Sequence, residues 1–227
     1  MSTIPRVVHQ VWLGADPPAQ VKEWMSSWRD IPGWSYRLWT QDNLPRLRNQ
    51  ALYDAADTFA VPGRGHQVRS DLVRWELLHD HGGVYVDADF ELLGDPERLL
   101  VGDCFAGWEV EPDAAGNGGW VNMALAGAVP GHPFLQDLIG EAAVNVARYA
   151  GQPGITSSTS LTGPRYLTGI WRRHADDVYV HPQRLLYPLG WREVGTSREA
   201  GPFPDAVAVH WWMNRRRLLG LMHLDGD

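Results

Sequence analysis

The residues that decide the fold form one continuous stretch, Gly82-Gly83-Val84-Tyr85-Val86-Asp87-Ala88-Asp89. A helical pattern covers residues 66–81 and ends at the double glycine, which suits a left-handed helix cap. The three apolar residues that follow predict a short buried strand. The stretch therefore predicts a helix, a turn and a strand whose carboxyl end carries Asp87 and Asp89.

Strand-like and helix-like segments alternate on both sides of this stretch. Further strands are predicted at residues 6–13, 34–39, 104–108 and 120–126, near 178 and at 206–211. Further helices are predicted at residues 19–29, in short pieces over 43–60, at 133–149 and at 164–174. This alternation predicts an α/β fold with a mainly parallel central sheet flanked by helices, formed by residues 1–227 as a single domain. Ligands of such sheets bind at the carboxyl ends of strands, where Asp87 and Asp89 fall.

The composition is that of a globular protein, with 44% hydrophobic and 21% charged residues. A net charge of −7 argues against nucleic acid as a partner, although residues 215–217 form a local basic patch. The single cysteine, Cys104, excludes an internal disulfide and a cysteine-based zinc site. The first residues lack a signal-peptide pattern, and no apolar run is long enough to cross a membrane. We therefore expect a cytoplasmic protein without a transmembrane segment.

The two aspartates one residue apart suggest a cation site. If the backbone bends at the strand end, both carboxylates can reach one divalent ion, and oxygen ligands suit Mg²⁺ or Mn²⁺. Such ions in turn bind phosphate oxygens. An Asp-x-Asp pair also occurs in many solvated turns, but the apolar strand before Asp87 favours the functional interpretation.

Charged residues lie on the inward arc of the preceding helix. At 100° per residue, a narrow stripe with apolar residues on both sides contains Gln67, Asp71, Arg74 and Leu78. The opposite, solvated arc contains Arg69, Glu76 and Asp80. Unpaired charges on an inward arc are costly. Asp71 and Arg74 are therefore either a buried i,i+3 ion pair that holds the helix to the sheet or a pair that meets a polar ligand at the sheet edge.

Residues 69–78 followed by 82–89 resemble the sugar-binding region of glycosyltransferase family 32. They are also similar to the catalytic core of the large glucosylating bacterial toxins, and residues 4–14 resemble the first strand of the same families. Looser matches continue the resemblance along nearly the whole chain, at Asn122 with residues 130–133, at 162–164 and at 210–212.

The resemblance implies a GT-A type fold and a metal-dependent hexosyltransferase that uses a nucleotide-diphosphate-sugar, either a UDP- or a GDP-sugar. It also implies Mn²⁺ or Mg²⁺ as cofactor and retention of the anomeric configuration. In the implied front-face reaction the leaving phosphate accepts the proton of the acceptor. The acceptor stays open (a glycan, a small molecule or a protein), because the chain lacks the long insertions with which such enzymes shape an acceptor site.

By position, the resemblance assigns catalytic roles to Asp87, Asp89 and Arg74. Donor binding is assigned to Val11, Trp12, Asp71, Arg74, Tyr85, Asp87, Asn122 and Trp212. Trp12 would stack on the nucleotide base, and Asp71 with Arg74 would hold the donor sugar and phosphates. For Asn122, a buried amide that satisfies strand ends is an equal alternative.

Two aspartates supply fewer protein ligands than a divalent cation needs, so we consider His210 as a further ligand. This residue ends a predicted strand, and an imidazole ligand would favour Mn²⁺ over Mg²⁺. The predicted metal site is thus Asp87, Asp89 and His210. Asn214 is a competitor for the last position, and Trp211 or Trp212 could instead close over the donor. His210 could also simply be satisfied by a backbone carbonyl.

Two other functions compete with sugar transfer. In a haloacid-dehalogenase-type phosphatase an apolar strand also ends in Asp-x-Asp, and Asp87 would be the nucleophile. That motif is usually near the start of the chain and is followed by Thr or Val, where this sequence has Glu91. A non-catalytic sugar-binding module would instead use surface tryptophans, but the tryptophans between residues 24 and 39 suit a core better.

Overall fold

The computed structural model describes residues 4–60, 62–152 and 158–222. The strands are β1 (Val7–Val11), β2 (Ser35–Trp39), β3 (Gly83–Val86), β4 (Phe90–Leu92), β5 (Cys104–Pro112), β6 (Gly118–Ala128), β7 (Tyr179–His181) and β8 (Ala208–His210). The helices are α1 (Ala19–Ser26), α2 (Gln50–Asp54), α3 (Ala56–Phe59), α4 (Gly65–His81), α5 (Pro133–Tyr149), α6 (Pro164–Trp171), α7 (Gln183–Leu186) and α8 (Met213–Leu218). Short 3₁₀ helices cover Pro96–Leu99, Ser158–Ser160 and Ser197–Ala200.

Six strands form the central sheet, in the order β2-β1-β3-β6-β5-β7. β1 pairs in parallel with β2 and β3, and β5 with β7, whereas β6 runs antiparallel between β3 and β5. Five strands therefore share one direction, and the predicted mainly parallel sheet is confirmed. The last strand, β8, lies outside this sheet and pairs with β4, with Phe90 opposite His210.

Both faces of the sheet are covered, which explains why β3 is buried throughout. Tyr85 points to the side of α4, α5 and α6, where one hydrophobic cluster lies. Val84 and Val86 point to the other side, toward Trp28 and Phe90. Because side chains alternate along the four residues of β3, this strand contacts both hydrophobic clusters. The same alternation determines the side of the sheet on which the carboxylates of Asp87 and Asp89 begin.

Helix α4 is buried over more of its circumference than the sequence predicts. Glu76, which we place on the solvated arc, is 3% exposed. The backbone N–H groups of Arg48 and Asn49 donate to its two carboxylate oxygens, so the chain just before α2 lies across this face of α4. The prediction for Glu76 is wrong because a carboxylate satisfied by backbone donors can be buried, and periodicity alone does not show such donors.

The hairpin of β5 and β6 extends further than predicted. Its strands pair as far as Pro112 opposite Gly118, and the Asp113 side chain accepts N–H groups of the turn between them. The predicted strands end too early because the outer half of the hairpin is largely exposed and mixes polar with apolar residues. Among the described residues, no helix combines the length and apolar character needed to cross a membrane.

The turn between α4 and β3 depends on glycine at two consecutive positions. Gly82 and Gly83 have φ values of 62° and 92°, in the region that L side chains rarely adopt. At Gly83 a Cβ atom would lie 2.5 Å from Val7 Cγ1 and 2.6 Å from the Val7 carbonyl oxygen. The helix can therefore turn directly into the strand only because β1 approaches a backbone without a side chain.

We expect Gly83→Ala to lower the free energy of unfolding by about 1–3 kcal/mol more than Gly33→Ala does. Gly33 also has a positive φ, 78°, but a Cβ atom added there would meet nothing within 4 Å, so this variant measures backbone strain alone. Urea unfolding of the two variants checks this. Equal losses would show that β1 moves aside freely.

Candidate active site

A cavity of about 1650 Å³ opens at the carboxyl ends of β1 and β3. Single ligand pockets usually measure about 300–1,000 Å³, so this cavity has room for more than one substrate. The sequence-predicted residues Val11, Trp12, Asp71, Arg74, Tyr85, Asp87, Asp89, Asn122, His210 and Trp212 all line it. The structure thus brings together side chains that are up to two hundred positions apart in the chain.

Asp87, Asp89 and His210 form a compact group in this cavity. Each offers one ligand atom, and these atoms all lie within 4.8 Å of one another. His210 Nε2 is 3.1 Å from Asp89 Oδ1. Two neighbouring ligands of an octahedral ion with bonds of about 2.1 Å are about 3 Å apart, so this spacing fits shared coordination. Two carboxylates and one imidazole are a donor set that suits Mn²⁺ and related divalent ions.

Asp89 is held in place by the segment that follows β8. Its Oδ2 accepts the N–H of Met213 at 2.8 Å, and its carbonyl accepts the N–H of Trp211. Burial acts to raise the pKa of Asp89, but His210 and the Met213 N–H outweigh it and leave this pKa lowered. The Asp89 carboxylate is therefore ionised and oriented before any ligand arrives.

The His210 ring is fixed by stacking more than by hydrogen bonds. It lies parallel to Phe90 with ring centroids 4.5 Å apart, and Trp212 packs on it at 4.1 Å. Its Nδ1 is buried and has no hydrogen-bond partner among the described residues. Burial disfavours the imidazolium, but the attraction of Asp89 leaves the pKa of His210 raised. The ring thus presents Nε2 to the carboxylates.

Arg74 connects α4 to the carboxylates after β3. Its Nη2 donates to both Asp87 oxygens, at 3.1 and 3.2 Å, and lies 3.4 Å from Asp71. The Tyr85 hydroxyl also donates to Asp87, at 2.8 Å, and Arg74 stacks over the Tyr85 ring. Burial and the nearby Asp89 raise the pKa of Asp87, whereas Arg74 acts to lower it.

Asp71 has the features of both alternatives that the sequence leaves open. It forms the ion pair with Arg74, and it also lines the cavity. The Thr162 hydroxyl donates to its other oxygen at 2.7 Å. Burial raises the pKa of Asp71 to about 6, although Arg74 and Thr162 act in the opposite direction. The Asp71–Arg74 pair lies within α4 and lines the cavity, and Arg74 links the helix to the end of β3 through Asp87.

Trp12 lies at the edge of the cavity and is half-buried. Its indole N–H donates to the carbonyl of Ala15, and its ring packs on a cluster that includes Trp24 and Ala88. This arrangement holds the ring at the carboxyl end of β1, and base stacking on it stays a prediction. Val11, which precedes it, is buried beside the cavity.

The aromatic residues after β8 have different surroundings. Trp211 stacks with Trp24 at 6.0 Å and donates to Glu91, so it belongs to the packing below the site. Trp212 lines the cavity and donates to the Leu189 carbonyl at 2.7 Å. Asn214, the competitor of His210 for the metal, also lines the cavity, and its role as a ligand stays a prediction.

One carboxylate of the cavity, Glu109, is not predicted from the sequence. It lies on β5 and accepts a hydrogen bond of 2.6 Å from Asn122, whose own oxygen accepts the Ala124 N–H. The Asn122 side chain therefore accepts a backbone N–H of its own strand and also orients Glu109 in the cavity. Alternating charged and apolar residues at 108–111 indicate an exposed strand, and only the strand pairing shows where Glu109 points.

Residues 18–106 match the family described as the glycosyltransferase sugar-binding region containing a DXD motif. Inositol phosphoceramide mannosyltransferase 2 of Schizosaccharomyces pombe is 28% identical over 180 residues, which cover 75% of this chain and 47% of that protein. Inositol phosphoceramide mannosyltransferase 1 of the same yeast is 31% identical over 143 residues, 61% of this chain and 43% of that protein. For mannosyl phosphorylinositol ceramide synthase SUR1 of Saccharomyces cerevisiae the values are 28% over 172 residues, 75% and 42%. The matches thus span less than half the length of these relatives.

Solved structures share the fold at low sequence identity. The ligand-free glycosyltransferase domain of the YGT toxin has a TM-score of 0.56 at 12% identity, covering 80% of this chain and 81% of that chain. The PaToxG glycosyltransferase has a TM-score of 0.54 at 14% identity, covering 76% and 70%. The UDP-bound form of the YGT domain has a TM-score of 0.53 at 10% identity, covering 98% and 87%. The predicted GT-A type fold is confirmed.

We expect Arg74→Gln to lower the free energy of unfolding by about 3 kcal/mol, because it leaves Asp71 and Asp87 without their cation. Asp71→Asn should cost only about 1 kcal/mol, since the Thr162 hydrogen bond and the Arg74–Asp87 pair persist. Arg173→Gln, which removes an exposed arginine paired with Glu141, is the control and should cost under about 1 kcal/mol. Chemical denaturation measures all three, and a small loss for Arg74→Gln would contradict the buried-pair interpretation.

We expect His210→Ala to weaken Mn²⁺ binding about tenfold or more and to affect Mg²⁺ less, because only the softer ion gains from a nitrogen ligand. Calorimetric titration with each ion measures this without any substrate. His79→Ala is the control, since His79 lies near the end of α4 and bonds Asp80. Unchanged Mn²⁺ affinity in His210→Ala would remove His210 from the metal site.

Proposed function

We propose, from the match of residues 18–106 to the glycosyltransferase sugar-binding region containing a DXD motif, that the chain is a metal-dependent glycosyltransferase. The proposed donor is a UDP- or GDP-sugar, and the sugar is transferred with retention of its anomeric configuration. The acceptor class stays open between a glycan, a small molecule and a protein.

The observation that carries this proposal is the group formed by Asp87, Asp89 and His210 beside the Arg74 guanidinium. A pair of carboxylates without a further ligand also occurs in many solvated turns. An imidazole within coordination distance, on a strand of a separate two-stranded sheet, supports an ion-binding arrangement. A divalent cation bound there would neutralise the charge that develops on the leaving diphosphate.

The residues of the chain divide the remaining tasks. Arg74 carries a permanent charge beside Asp87, and it can stabilise a second part of the diphosphate without changing its protonation. Asp71 offers a carboxylate to sugar hydroxyls, because its bonds to Thr162 and Arg74 leave it facing the cavity. Trp12 offers an aromatic face to the nucleotide base at the edge of the same cavity.

The relatives suggest which sugar to test first. The three yeast relatives named above are mannosyl-transferring enzymes by name, so mannose is our first candidate for the transferred sugar. The tryptophans between residues 24 and 39 do not form the surface that a non-catalytic sugar-binding module would need. Trp24 and Trp28 are buried, at 6% and 0% exposure, and Trp39 packs against core residues.

The test is a melting-temperature screen of UDP- and GDP-sugars with and without Mn²⁺, followed by donor turnover. A ligand at 100 times its Kd stabilises the folded state by about 2.7 kcal/mol, a shift that such a screen resolves. We expect a donor-dependent shift only with metal, and loss of most turnover in Asp89→Asn while its melting temperature stays near that of the wild type.

Asp176→Asn, which neutralises an exposed aspartate outside the cavity, is the matched control and should behave as the wild type. Full donor turnover in excess chelator, or in Asp89→Asn, would refute metal-dependent transfer. A covalent aspartyl-phosphate mimic trapped on Asp87 would instead favour the phosphatase.

A further inference from the structure

Glu109 occupies an irregular position in the hairpin of β5 and β6. Trp108 pairs with Val121 and Val110 pairs with Trp120, so two steps along β5 match one step along β6. Glu109 is the extra residue of this β-bulge. Bulges change the direction of a side chain and are frequent next to active sites. Here the bulge turns Glu109 into the cavity that contains the Asp87–Asp89–His210 group.

The surroundings of Glu109 give its charge little compensation. Its side chain bonds the neutral amide of Asn122, and no cationic side chain of the described residues lies within 4.0 Å of its carboxylate. Burial raises the pKa of Glu109, while the hydrogen bond from Asn122 and the attraction of His210 act to lower it. A carboxylate kept in such a place without an ion-pair partner is costly to the fold.

A chain of hydrogen bonds links Glu109 to the carboxylates after β3. The Asp87 N–H donates to the Ala124 carbonyl at 2.7 Å, and the Ala124 N–H donates to the Asn122 side chain at 2.8 Å. Asn122 then donates to Glu109 at 2.6 Å. A single strand, β6, therefore separates Asp87 from Glu109, and both residues line the same cavity.

Glu109 adds a further carboxylate to the cavity wall beside the proposed donor site, and its surroundings differ from those of Asp87 and Asp89. Asp87 and Asp89 belong to the group that suits a cation, whereas Glu109 lies outside that group. Glu109 is therefore a carboxylate of the same cavity that the proposed cation group leaves available to another part of the donor.

We propose, on the basis of the proposed function, that Glu109 is a catalytic residue that contacts the transferred sugar and stabilises the positive charge of its ring in the transition state. The bond between the anomeric carbon and the diphosphate oxygen breaks, and its electron pair leaves with the diphosphate. The acceptor oxygen bonds to the same carbon, and its proton passes to the departing oxygen. Glu109 itself forms no bond. Sugar transfer develops oxocarbenium character, which a nearby carboxylate stabilises more than it stabilises the neutral ground state.

The test is Glu109→Gln, which keeps the shape and an oxygen acceptor for Asn122 but removes the charge. We expect kcat for transfer, and for donor hydrolysis, to fall about 100-fold, within the range for loss of one group that stabilises transition-state charge. The KM for donor and the donor-induced shift in melting temperature should stay near wild-type values, since the ground state carries no ring charge.

Glu141→Gln is the control, because Glu141 is an exposed glutamate of α5 outside the cavity and pairs with Arg173. It should leave kcat near the wild-type value. Glu109→Asp keeps the charge but shortens the side chain by one methylene group, so we expect a kcat between those of the wild type and Glu109→Gln. This variant also keeps the proposal testable if Glu109→Gln fails to fold.

Three results would overturn the inference. A kcat for Glu109→Gln within threefold of the wild type, in an enzyme that does transfer sugar, would remove Glu109 from catalysis and leave the proposed function intact. A peptide containing Glu109 whose mass increases by one sugar would make this residue a nucleophile instead. A wild-type protein with neither donor binding nor turnover would end both proposals together.

Discussion

The buried guanidinium of Arg74 is the contact on which the rest of the site depends. It belongs to α4, yet it bonds both oxygens of Asp87 after β3 and lies beside Asp71 on its own helix. A cation between two buried carboxylates compensates charges that would otherwise be costly in a folded interior. It also fixes the distance between α4 and the end of β3, and the Gly82–Gly83 turn connects the two elements at that distance.

The second constraint comes from the small sheet of β4 and β8. It places Phe90 opposite His210 in register, and the flat stacking of these two rings holds the imidazole against Asp89. The carboxylates therefore follow a strand of the central sheet, and the imidazole belongs to a separate element. This division leaves the cavity open between the two elements, where a donor can enter without disturbing the packed sheet.

The sequence predicts the central fold well because its signals are local. The helical period of α4, the double glycine and the apolar β3 all lie within about 25 residues, and each determines its own conformation. The burial of Glu76 could not be predicted, since its partners are backbone N–H groups of a distant segment. Glu109 escapes prediction for a similar reason, because a bulge is a property of two paired strands and one strand alone does not show it. The family resemblance suggests that His210 lies close to Asp87 and Asp89, whereas the local sequence pattern does not indicate the distance between them.

The bonds to Asp89 also affect the order in which the protein can be assembled during synthesis. Its contacts with His210 and Met213 span 121 and 124 positions of the chain, whereas the turn from α4 into β3 involves only neighbouring residues. Contacts of long sequence separation form late, because loop closure has to precede them. On the ribosome, the first strands and α4 can dock while the site still lacks its imidazole. A nascent chain therefore carries Asp87 and Asp89 before His210 has emerged, and under the proposed function a half-built site is exposed to premature capture of a metal ion.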